Sequence, residues 1–327
     1  MKGLFSNSTD PKFNLATEEY LLRNSDEDVF FLYINSPSII VGKHQNTLAE
    51  INLDFVQASD IAVHRRLSGG GTVYHDEGNL NFCFILNGEK GKLVDFAKHT
   101  QPIIKALKEY NIAAELGKRH DILIEGKKVS GNASHVYKNR VMHHGTLLFN
   151  SNLDVLNQAL KTNPLAIKHK AVKSVRSEVT NISNYLTGES NFKIFSAHIF
   201  SYLLKHFSNS ISYHLNSQEQ AIILKLADEK YNSWEWNYGY SPTYEVKKRI
   251  RTESNLRIEN HFQVEKGIIQ QIHIKSQNNF YDSYISFLTK LLIGAKHDPN
   301  HINNKLNTIN KLPHPHLSIE KTLKLFF

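Results

Sequence analysis

The chain has little cysteine and no long hydrophobic run. Cys83 is the single cysteine among 327 residues, which excludes an intrachain disulfide framework and favours a reducing compartment. No apolar stretch approaches the ~20 residues that cross a bilayer, and residues 1–5 lack the basic and then apolar pattern of a secretion signal. The composition therefore predicts a cytoplasmic protein that does not cross a membrane.

Charge and length restrict the possible architectures without selecting a function. The formal net charge of +8 favours acidic partners, which could be a nucleic acid, a membrane surface or an acidic protein. The charged residues are spread along the chain, as on an ordinary solvated surface. A chain of 327 residues exceeds what one hydrophobic core usually serves, so one large domain and one small domain are expected.

A glycine-rich loop carries the clearest functional pattern. Residues 65–76 read Arg-Arg-Leu-Ser-Gly-Gly-Gly-Thr-Val-Tyr-His-Asp, between apolar segments at residues 61–63 and 79–86 that predict β-strands. Glycines let backbone N–H groups approach an anion closely, and arginine donates forked, charge-assisted hydrogen bonds to it. The loop is neither a P-loop nor a Gly-x-Gly-x-x-Gly fingerprint. It predicts a pocket for a phosphate or a carboxylate, with a flexible linker as the alternative.

Two further segments predict β-structure with polar residues at defined positions. Residues 121–133 read as a strand, a tight Glu125-Gly126 turn and a returning strand that Lys128 opens. Residues 143–149, His-His-Gly-Thr-Leu-Leu-Phe, read as another strand. Because adjacent strand residues face opposite ways, His143 and His144 make a poor metal chelate.

Together these segments resemble the lipoate–protein ligase family. The family marks R-R-x-S-G-G-G-x-V-[YF]-H-D, G-N-x-N, K-V-S-G-N-A and H-H-G-T-L-L correspond to residues 65–76, 78–81, 128–133 and 143–148. Residues 173–181 resemble the family's K-S-V-R-S-R-V-T-N segment, with Glu178 where the family usually has arginine. The motifs occur in the family's order, and the resemblance covers about residues 1–245.

The resemblance implies an α/β (α+β) fold. It predicts a catalytic domain over residues 1–245, in which helices flank a mixed β-sheet like that of biotin and lipoate ligases, and a small α+β accessory domain over residues 246–327. In the second domain, alternating apolar residues between 256 and 274 predict strands, and residues 281–292 predict a helix. This domain lacks the G-D-F-F-like segment that often follows the last strand in the family, so its role is left open.

The chemistry that the resemblance implies is carboxylate activation followed by amide formation. Free lipoate attacks the α-phosphate of ATP to form lipoyl-AMP, and a lysine of an acceptor protein then displaces AMP. Mg²⁺ would neutralise the triphosphate, but no Asp/Glu cluster with ligand spacing marks a site for it. The implied acceptors are lipoyl domains of 2-oxoacid dehydrogenase acyltransferase subunits or a glycine-cleavage H-type protein, with no nucleic-acid or membrane partner.

Site residues follow from the family motif positions that the chain matches. Lys128 is the candidate catalytic residue, because a lysine at the start of this strand can reach both the lipoyl carbonyl and the α-phosphate. The implied contacts to ATP and lipoyl-AMP come from Arg66, Gly71, Thr72, Val73, Tyr74 and Lys128, and those to lipoate from Arg66, Ser68, Gly69, Gly70, Asn79, Lys128 and Gly131. Further candidates are Asp121, Asn132, His144, Thr146, Lys173 and Arg176.

The segment at residues 162–181 is rich in basic side chains. Its first part, residues 162–174, shows no clean periodicity and predicts a loop, which is either a solvated surface connection or part of a basic lid. In the lid interpretation, residues 162–181 become ordered when the adenylate is present and bring positive charge over the phosphate. Glu178 replaces a cation of the family pattern. We expect its side chain to face solvent, since the neighbouring lysines and Arg176 keep the segment basic.

Three functions stay open on the sequence. The first is an ATP-dependent lipoate ligase with an adenylate intermediate. The second is an octanoyl or lipoyl acyltransferase that works between carrier proteins without ATP; Cys83 is a tempting nucleophile, but its apolar surroundings predict an inert buried thiol. The third is a non-catalytic or nucleic-acid-binding relative. Arg66, the glycines, Lys128 and the basic segment together favour the first.

Overall fold

The computed structural model describes residues 1–88, 93–160, 166–187, 191–309 and 317–327. By its internal contacts the chain divides into two compact units. Unit 1 comprises residues 1–43, 52–160 and 173–233, and unit 2 comprises residues 44–51, 161–172 and 234–327. The domain boundary between residues 245 and 246 stays a prediction. No helix in the described ranges is long and apolar enough to span a bilayer.

The strands coincide with the apolar and alternating segments of the sequence. Their bounds are β1 Lys2–Phe5, β2 Val29–Ile34, β3 Ser38–Val41, β4 Ala62–Arg65, β5 Val73–His75, β6 Asn79–Asn87, β7 Ala114–Leu116, β8 Ile122–Ile124, β9 Lys127–Ser130, β10 Asn132–Tyr137, β11 Arg140–Leu148, β12 Ala166–His169, β13 Ile211–Ser212, β14 Tyr244–Arg251, β15 Arg257–Glu265 and β16 Ile268–Ser276.

Most of the described α-helices begin at a side chain that accepts a hydrogen bond from an N–H group of the first turn. Asp10 accepts from the Lys12 N–H ahead of the first helix, and Asp95 accepts from the Lys98 N–H ahead of the fourth. The bounds are α1 Pro11–Asn24, α2 Thr47–Glu50, α3 Leu53–Ala58, α4 Phe96–Lys108, α5 Leu153–Ala159, α6 Phe192–His206, α7 Ser217–Leu226, α8 Asp282–Leu292, α9 Pro299–Asn307 and α10 Ile319–Leu323, with 3₁₀ turns at Ile182–Tyr185 and Asn279–Tyr281 and π-helical turns at Ala227–Tyr231 and Glu235–Gly239.

The main sheet of unit 1 is mixed. Among the described strands its order is β10-β11-β6-β2-β1-β13, with β1 parallel to β2 and β13 and the other neighbours antiparallel. One face packs on α4 and α6 through an apolar core that includes Phe82, Phe84, Ile103 and Ile199. Helix α1 covers the opposite face. The predicted class, a mixed sheet flanked by helices, is confirmed.

Two small sheets of unit 1 carry the functional segments. In the sheet β4-β3-β5, β4 runs parallel to β3 and β5 antiparallel to it, so the glycine loop at residues 66–72 folds over the end of β3. In the sheet β7-β8-β9, Glu125 and Gly126 join β8 to β9 with φ values of 51° and 75°. Positive φ at both positions is the two-residue hairpin turn that the sequence predicted.

Unit 2 contains an antiparallel sheet, in the order β12-β14-β15-β16 among the described strands. One face of it packs on helices α8 and α9 through residues such as Val246, Phe262 and Leu288. The prediction that residues 162–174 form a loop is wrong for β12, and residues 162–165 lie outside the described ranges. The strand forms because β14, more than 70 residues further along the chain, offers it a pairing edge that local periodicity does not reveal.

Buried histidines of unit 1 make its stability depend on pH. His143 on β11 packs against His99 on α4, with ring centroids 3.9 Å apart, and burial lowers the pKa of His143 to about 3 and that of His99 to about 4. An unfolded histidine has a pKa of about 6.5, so between pH 6.5 and 4 the unfolded chain binds the additional protons. The stability that depends on these two neutral histidines is therefore fully present above pH 6.5, and it is lost progressively as the solution is acidified.

We expect His143→Phe to flatten the acid limb of stability, because it removes one group that protonates on unfolding. As the pH falls below 6.5, the free energy of unfolding should decrease in the variant by about 1.4 kcal/mol less per pH unit than it does in the wild type. Denaturant titrations at pH 7, 6, 5 and 4.5 measure the slope. The matched control is His206→Phe on α6, an exposed position; equal slopes for the two variants would contradict the assignment to His143.

Candidate active site

Arg66 holds the glycine loop together from inside. Its Nε donates to Ser68 Oγ at 2.9 Å and its Nη1 to the Ile40 carbonyl at 3.0 Å. Its Nη2 donates to the carbonyls of Gly69 and Gly71 at 2.6 and 2.7 Å. Burial lowers the pKa of Arg66 to about 10, so the guanidinium stays protonated at neutral pH. The side chain shapes the loop, and a direct contact to a ligand remains a prediction.

Arg65 has a different role from its neighbour. The side chain is fully buried, and its Nη1 donates to the carbonyls of Gly42 and Lys43 at 3.0 Å each. The Lys43 N–H donates in turn to the Ser68 carbonyl at 2.8 Å. Arg65 thus fastens the loop to the end of β3, and a buried cation satisfied by carbonyls is not available to a ligand.

The three glycines of the loop are not equivalent. Gly70 has a φ of +86°, a conformation that residues with a Cβ rarely adopt. A Cβ at Gly70 would also lie 3.2 Å from Arg66 Nη2, and one at Gly71 would lie 3.1 Å from Ser174 Oγ. A Cβ at Gly69 would meet nothing within 4 Å. The backbone therefore requires glycine at position 70 and tolerates a side chain at position 69.

A buried chain of hydrogen bonds connects the loop to helix α1. His144 Nδ1 lies 2.9 and 3.0 Å from the two carboxylate oxygens of Glu18, and His144 Nε2 lies 2.6 Å from Ser68 Oγ. Tyr33 donates its hydroxyl to Glu18 at 3.0 Å. All four side chains are buried. They place Ser68 and His144, two predicted site residues, in direct contact.

The Glu18 carboxylate determines the direction of these hydrogen bonds. A carboxylate only accepts, so His144 must donate from Nδ1, which leaves Nε2 as the acceptor of the Ser68 hydroxyl proton. Ser68 Oγ can then accept from Arg66 Nε. Burial raises the pKa of Tyr33 and of Cys83 well above their ordinary values, and the negative charge of Glu18 adds to the effect. Both groups are therefore neutral donors at pH 7.

Sequence reasoning missed Glu18, although the sequence contains a signal for it. Leu15, Glu18, Glu19 and Leu22 follow the i, i+3, i+4, i+7 spacing that defines one face of a helix. Two carboxylates on the apolar stripe of a helix are expected to be paired when buried. Glu18 pairs with His144, and Glu19 pairs with Lys230 at 2.7 Å.

Lys128 lies at the start of β9 with its charged end against Gly131. A Cβ built on Gly131 would lie 3.2 Å from both Cε and Nζ of Lys128, so the missing side chain makes room for the ammonium. Within the described residues, Lys128 Nζ makes no hydrogen bond or ion pair. The Lys127 side chain is exposed instead and pairs with Glu178 at 3.2 Å.

The surroundings of Lys128 are positively charged. Burial lowers its pKa, the nearby carboxylate of Asp121 opposes this change, and the positive charges of Arg119 and Arg66 add to it. Asp121 itself is buried. An ammonium that is destabilised by burial and by neighbouring cations is stabilised when an anion binds beside it, so the surroundings of Lys128 favour a multiply charged anion.

Other predicted site residues form hydrogen bonds that fix the position of β9, the strand that carries Lys128. Gly131 donates its N–H to Thr146 Oγ1 at 3.1 Å, and the Thr146 N–H donates to the Gly131 carbonyl at 3.2 Å. Asn132 donates from Nδ2 to the His120 carbonyl at 2.7 Å. These contacts join β9 and β10 to β11. In this structure Asn132 and Thr146 position the backbone around Lys128.

The segment at residues 173–181 contacts both the glycine loop and Lys128. Ser174 Oγ accepts the Thr72 N–H at 2.9 Å. The Lys128 N–H donates to the Glu178 carbonyl at 2.9 Å, and the Thr180 N–H donates to the Lys128 carbonyl at 3.0 Å. The Glu178 side chain is 73% exposed, which confirms that it faces solvent. Ser174, which the sequence did not single out, joins two motifs that are about 100 residues apart.

The remaining predicted residues lie further from Lys128 or face solvent. Val73 and Tyr74 are in β5, and burial raises the pKa of Tyr74 to about 12. Asn79 is buried and donates to Asn81 Oδ1 at 2.9 Å, while its own Oδ1 has no partner in the described part of the chain. Lys173 and Arg176 are exposed, with Arg176 donating to the Leu160 carbonyl. The site roles of all these residues remain predictions.

Comparison with known proteins identifies the family to which the chain is similar. Residues 10–208 match the model of the lipoyl protein ligase A/B catalytic domain, and residues 241–326 match that of the bacterial lipoate protein ligase C-terminus. The chain is 41% identical to lipoate–protein ligase 1 of Staphylococcus aureus, over 92% of each chain. It is 40% identical to the lipoate–protein ligase LplJ of Bacillus subtilis, over 93% of this chain and 92% of that one.

A solved structure gives the same result. The crystal structure of LipL1 of P. falciparum in complex with lipoate is 28% identical, superimposes with a TM-score of 0.62 and covers 95% of each chain. A catalytic unit with an ordered glycine loop and a C-terminal unit with its own core define the chain as a two-part ligase. It belongs to the lipoate–protein ligase family.

Proposed function

We propose that this enzyme activates free lipoate with ATP to lipoyl-AMP and transfers the lipoyl group to a lysine of an acceptor protein. The observation that supports this most is Lys128, whose ammonium is partly buried, has no described partner and lies among other cations. The relatives that share most of the chain are named lipoate–protein ligases. The role of Lys128 would be to bind an anionic phosphate and the acyl carbonyl.

In the first step, a carboxylate oxygen of lipoate attacks the α-phosphorus of ATP. The new O–P bond forms as the bond to the β-phosphate oxygen breaks, and pyrophosphate leaves. The charge that develops on the phosphate is stabilised by Lys128 Nζ and by backbone N–H groups of the glycine loop, with Arg66 holding the loop in shape. The fixed position of these donors removes the cost of reorganising them during the reaction.

In the second step, the neutral amine of an acceptor lysine attacks the carbonyl carbon of lipoyl-AMP. The C–N bond forms, the bond from carbon to the phosphate oxygen breaks, and AMP leaves with the electron pair. The amine proton passes to solvent. The same Lys128 charge stabilises the oxyanion of the tetrahedral intermediate and then the departing phosphate. No covalent intermediate with the enzyme is needed.

The environment of Cys83 disfavours the alternative function, in which an enzyme thiol would carry the acyl group. This side chain is fully buried on β6, and burial raises its pKa well above the ordinary value, with the charge of Glu18 adding to the effect. The thiolate is the reactive form of cysteine. A thiol that is both inaccessible and protonated does not accept an acyl group from a carrier protein.

Mg²⁺ does not have a protein cage in the described residues. No group of three or more His, Cys, Asp or Glu side chains is arranged to hold a metal there. Mg²⁺ commonly keeps water ligands and binds through substrate phosphates with few protein carboxylates. We therefore infer that it would enter with the triphosphate of ATP, and we assign no step to it.

Pyrophosphate release tests the proposed activity directly. We expect the protein to release pyrophosphate when it is mixed with ATP, Mg²⁺ and lipoate in the absence of any acceptor. Adding a lipoyl domain of a 2-oxoacid dehydrogenase acyltransferase subunit, or a glycine-cleavage H-type protein, should then increase its mass by one lipoyl group. A protein that lipoylates an acceptor without consuming ATP would instead be an acyltransferase.

We propose that the described part of the predicted 162–181 lid, residues 166–181, orders further when the adenylate binds and excludes water. The Thr72 N–H, now bound to Ser174 Oγ, would be available to a phosphate oxygen once Ser174 moves. We expect saturation with a non-hydrolysable lipoyl-AMP analogue to protect this segment from limited proteolysis. Mass spectrometry locates the cuts, with cleavage elsewhere in the chain as the internal control. Unchanged cutting after Lys173 and Arg176 would contradict the lid.

A further inference from the structure

One face of the sheet in unit 2 is covered with charged side chains. Residues along a strand alternate between the two faces, and directly paired residues share a face. Val246 and Phe262 face the core, so their neighbours face outward. The register pairs Lys168 with Glu245, Lys247 with His261, Arg249 with Glu259, Arg251 with Arg257, and Glu259 with Lys275.

This outer face, which we call the basic face, has an excess of positive charge. Its cations are Lys168, Lys247, Arg249, Arg251, Arg257 and Lys275, and its carboxylates are Glu245, Glu259 and Glu265. Six cations against three carboxylates leave an excess of three positive charges, out of the formal +8 of the whole chain. The charge that looked evenly spread along the sequence is therefore concentrated by strand pairing.

The carboxylates neutralise only part of the basic face. Glu259 pairs with both Arg249 and Arg257, and Glu245 pairs with His261 at 3.3 Å. Lys247 and Lys275 make no hydrogen bond or ion pair in the described part of the chain. The Arg249 side chain is 61% exposed. Lys247 and Lys275 are thus accessible to an acidic partner without first breaking a hydrogen bond or an ion pair, and Arg249 is accessible beside its pair with Glu259.

The composition of the face selects among acidic partners. Single-stranded nucleic acids are bound by sheets that offer aromatic rings for base stacking, and the described outward residues of β14, β15 and β16 include no Phe, Tyr or Trp. Anionic membrane surfaces attract basic clusters, and firm surface binding adds apolar side chains that enter the lipid; Ile268, paired with Glu265, is the one large apolar side chain among the described outward positions of β14, β15 and β16. The interspersed Glu245, Glu259 and Glu265 repel phosphates but can accept hydrogen bonds from a protein.

We propose that the basic face of unit 2 is a docking surface for an acidic folded protein, namely the acceptor domain that receives the acyl group. The inference rests on the proposed function for the identity of the partner. Exposed charges of this kind act over about one Debye length, ~8 Å at physiological salt, and chiefly accelerate encounter. The basic face would therefore lower the KM for the acceptor without taking part in adenylate formation.

Charge reversal at two accessible lysines tests the docking surface. In Lys247→Glu/Lys275→Glu we expect the KM for a negatively charged lipoyl domain to rise about tenfold at low salt, and the difference to shrink as salt is added. Pyrophosphate release without acceptor should equal that of the wild type. With a lipoyl domain whose surface carboxylates are changed to amides, the variant and the wild type should have the same KM.

The matched control places the same charge change on unit 1. Lys193→Glu/Lys205→Glu alters two exposed lysines of α6 and should leave the KM for the acceptor unchanged. An equal rise in KM for both double variants, or none for either, would overturn the docking surface. So would a loss of affinity confined to an oligonucleotide or to anionic vesicles. If the wild type releases no pyrophosphate, the proposed activity is wrong. The docking surface is then tested on its own by calorimetry, in which the wild type should bind the acidic domain and the double variant should bind it more weakly.

Discussion

Replacing Lys128 with alanine is expected to abolish lipoyl-AMP formation while the fold persists. The substitution removes a positive charge aimed at the reacting phosphate, which should raise the barrier by about 3 kcal/mol or more and slow the step at least about a hundredfold. The charged end makes no hydrogen bond or ion pair among the described residues, so its removal leaves no described polar group without its partner. ATP–pyrophosphate exchange measures the loss, and circular dichroism and thermal unfolding report on the fold.

The neighbouring lysine is the matched control for this experiment. Lys127 has the same charge on the same strand, but its side chain faces solvent and pairs with an exposed Glu178. Exposed ion pairs of this kind contribute little to stability. Lys127→Ala should therefore exchange pyrophosphate at nearly the wild-type rate. Equal damage from the two substitutions would mean that the catalytic lysine has been wrongly assigned.

Substituting valine for Gly70 should eliminate binding of both ATP and lipoate. A β-branched residue is strongly disfavoured at a φ of +86°, and its Cβ would press on Arg66 Nη2. Arg66 holds the carbonyls of Gly69 and Gly71, so the damage would spread through the loop. Isothermal calorimetry with each ligand is the measurement. Normal affinity for both ligands in a folded variant would rule out this loop as the pocket.

Position 69 provides the comparison for position 70. Gly69 has no neighbour within 4 Å of an added Cβ and is outside the positive-φ positions. Gly69→Ala should therefore bind both ligands nearly as well as the wild type, whereas Gly70→Ala should already be weakened. If both alanine variants bind normally, the loop tolerates side chains generally and its conformation does not depend on glycine.

Much of the local structure was predictable because it depends on residues close together in sequence. The turn at Glu125 and Gly126 forms from a two-residue pattern, and the inert character of Cys83 follows from its apolar neighbours. The direction of Glu178 towards solvent was also anticipated. Strand β12 was not, because its pairing partner β14 is distant and only four residues of it are ordered as a strand.

The contacts inside the site were less predictable than its motifs. Glu18 and His144 are 126 positions apart, and Thr72 and Ser174 are 102 positions apart. The sequence around each of these residues does not predict which distant residue it contacts. The difference between Arg65 and Arg66 is also invisible in the motif, since both are buried and differ in which carbonyls their guanidinium groups reach.

The order of several separate motifs was sufficient to identify the family and the fold class, because a family's catalytic residues keep their local sequence context. Local spacing was also sufficient for helix α8 and for the hairpin that presents Lys128. Which charges meet was decided by strand register and helix packing. Those long-range pairings bring Glu18 under the glycine loop, leave Lys128 without a described partner, and gather six scattered cations on one face of unit 2, since electrostatic interactions depend on distance in space and not along the chain.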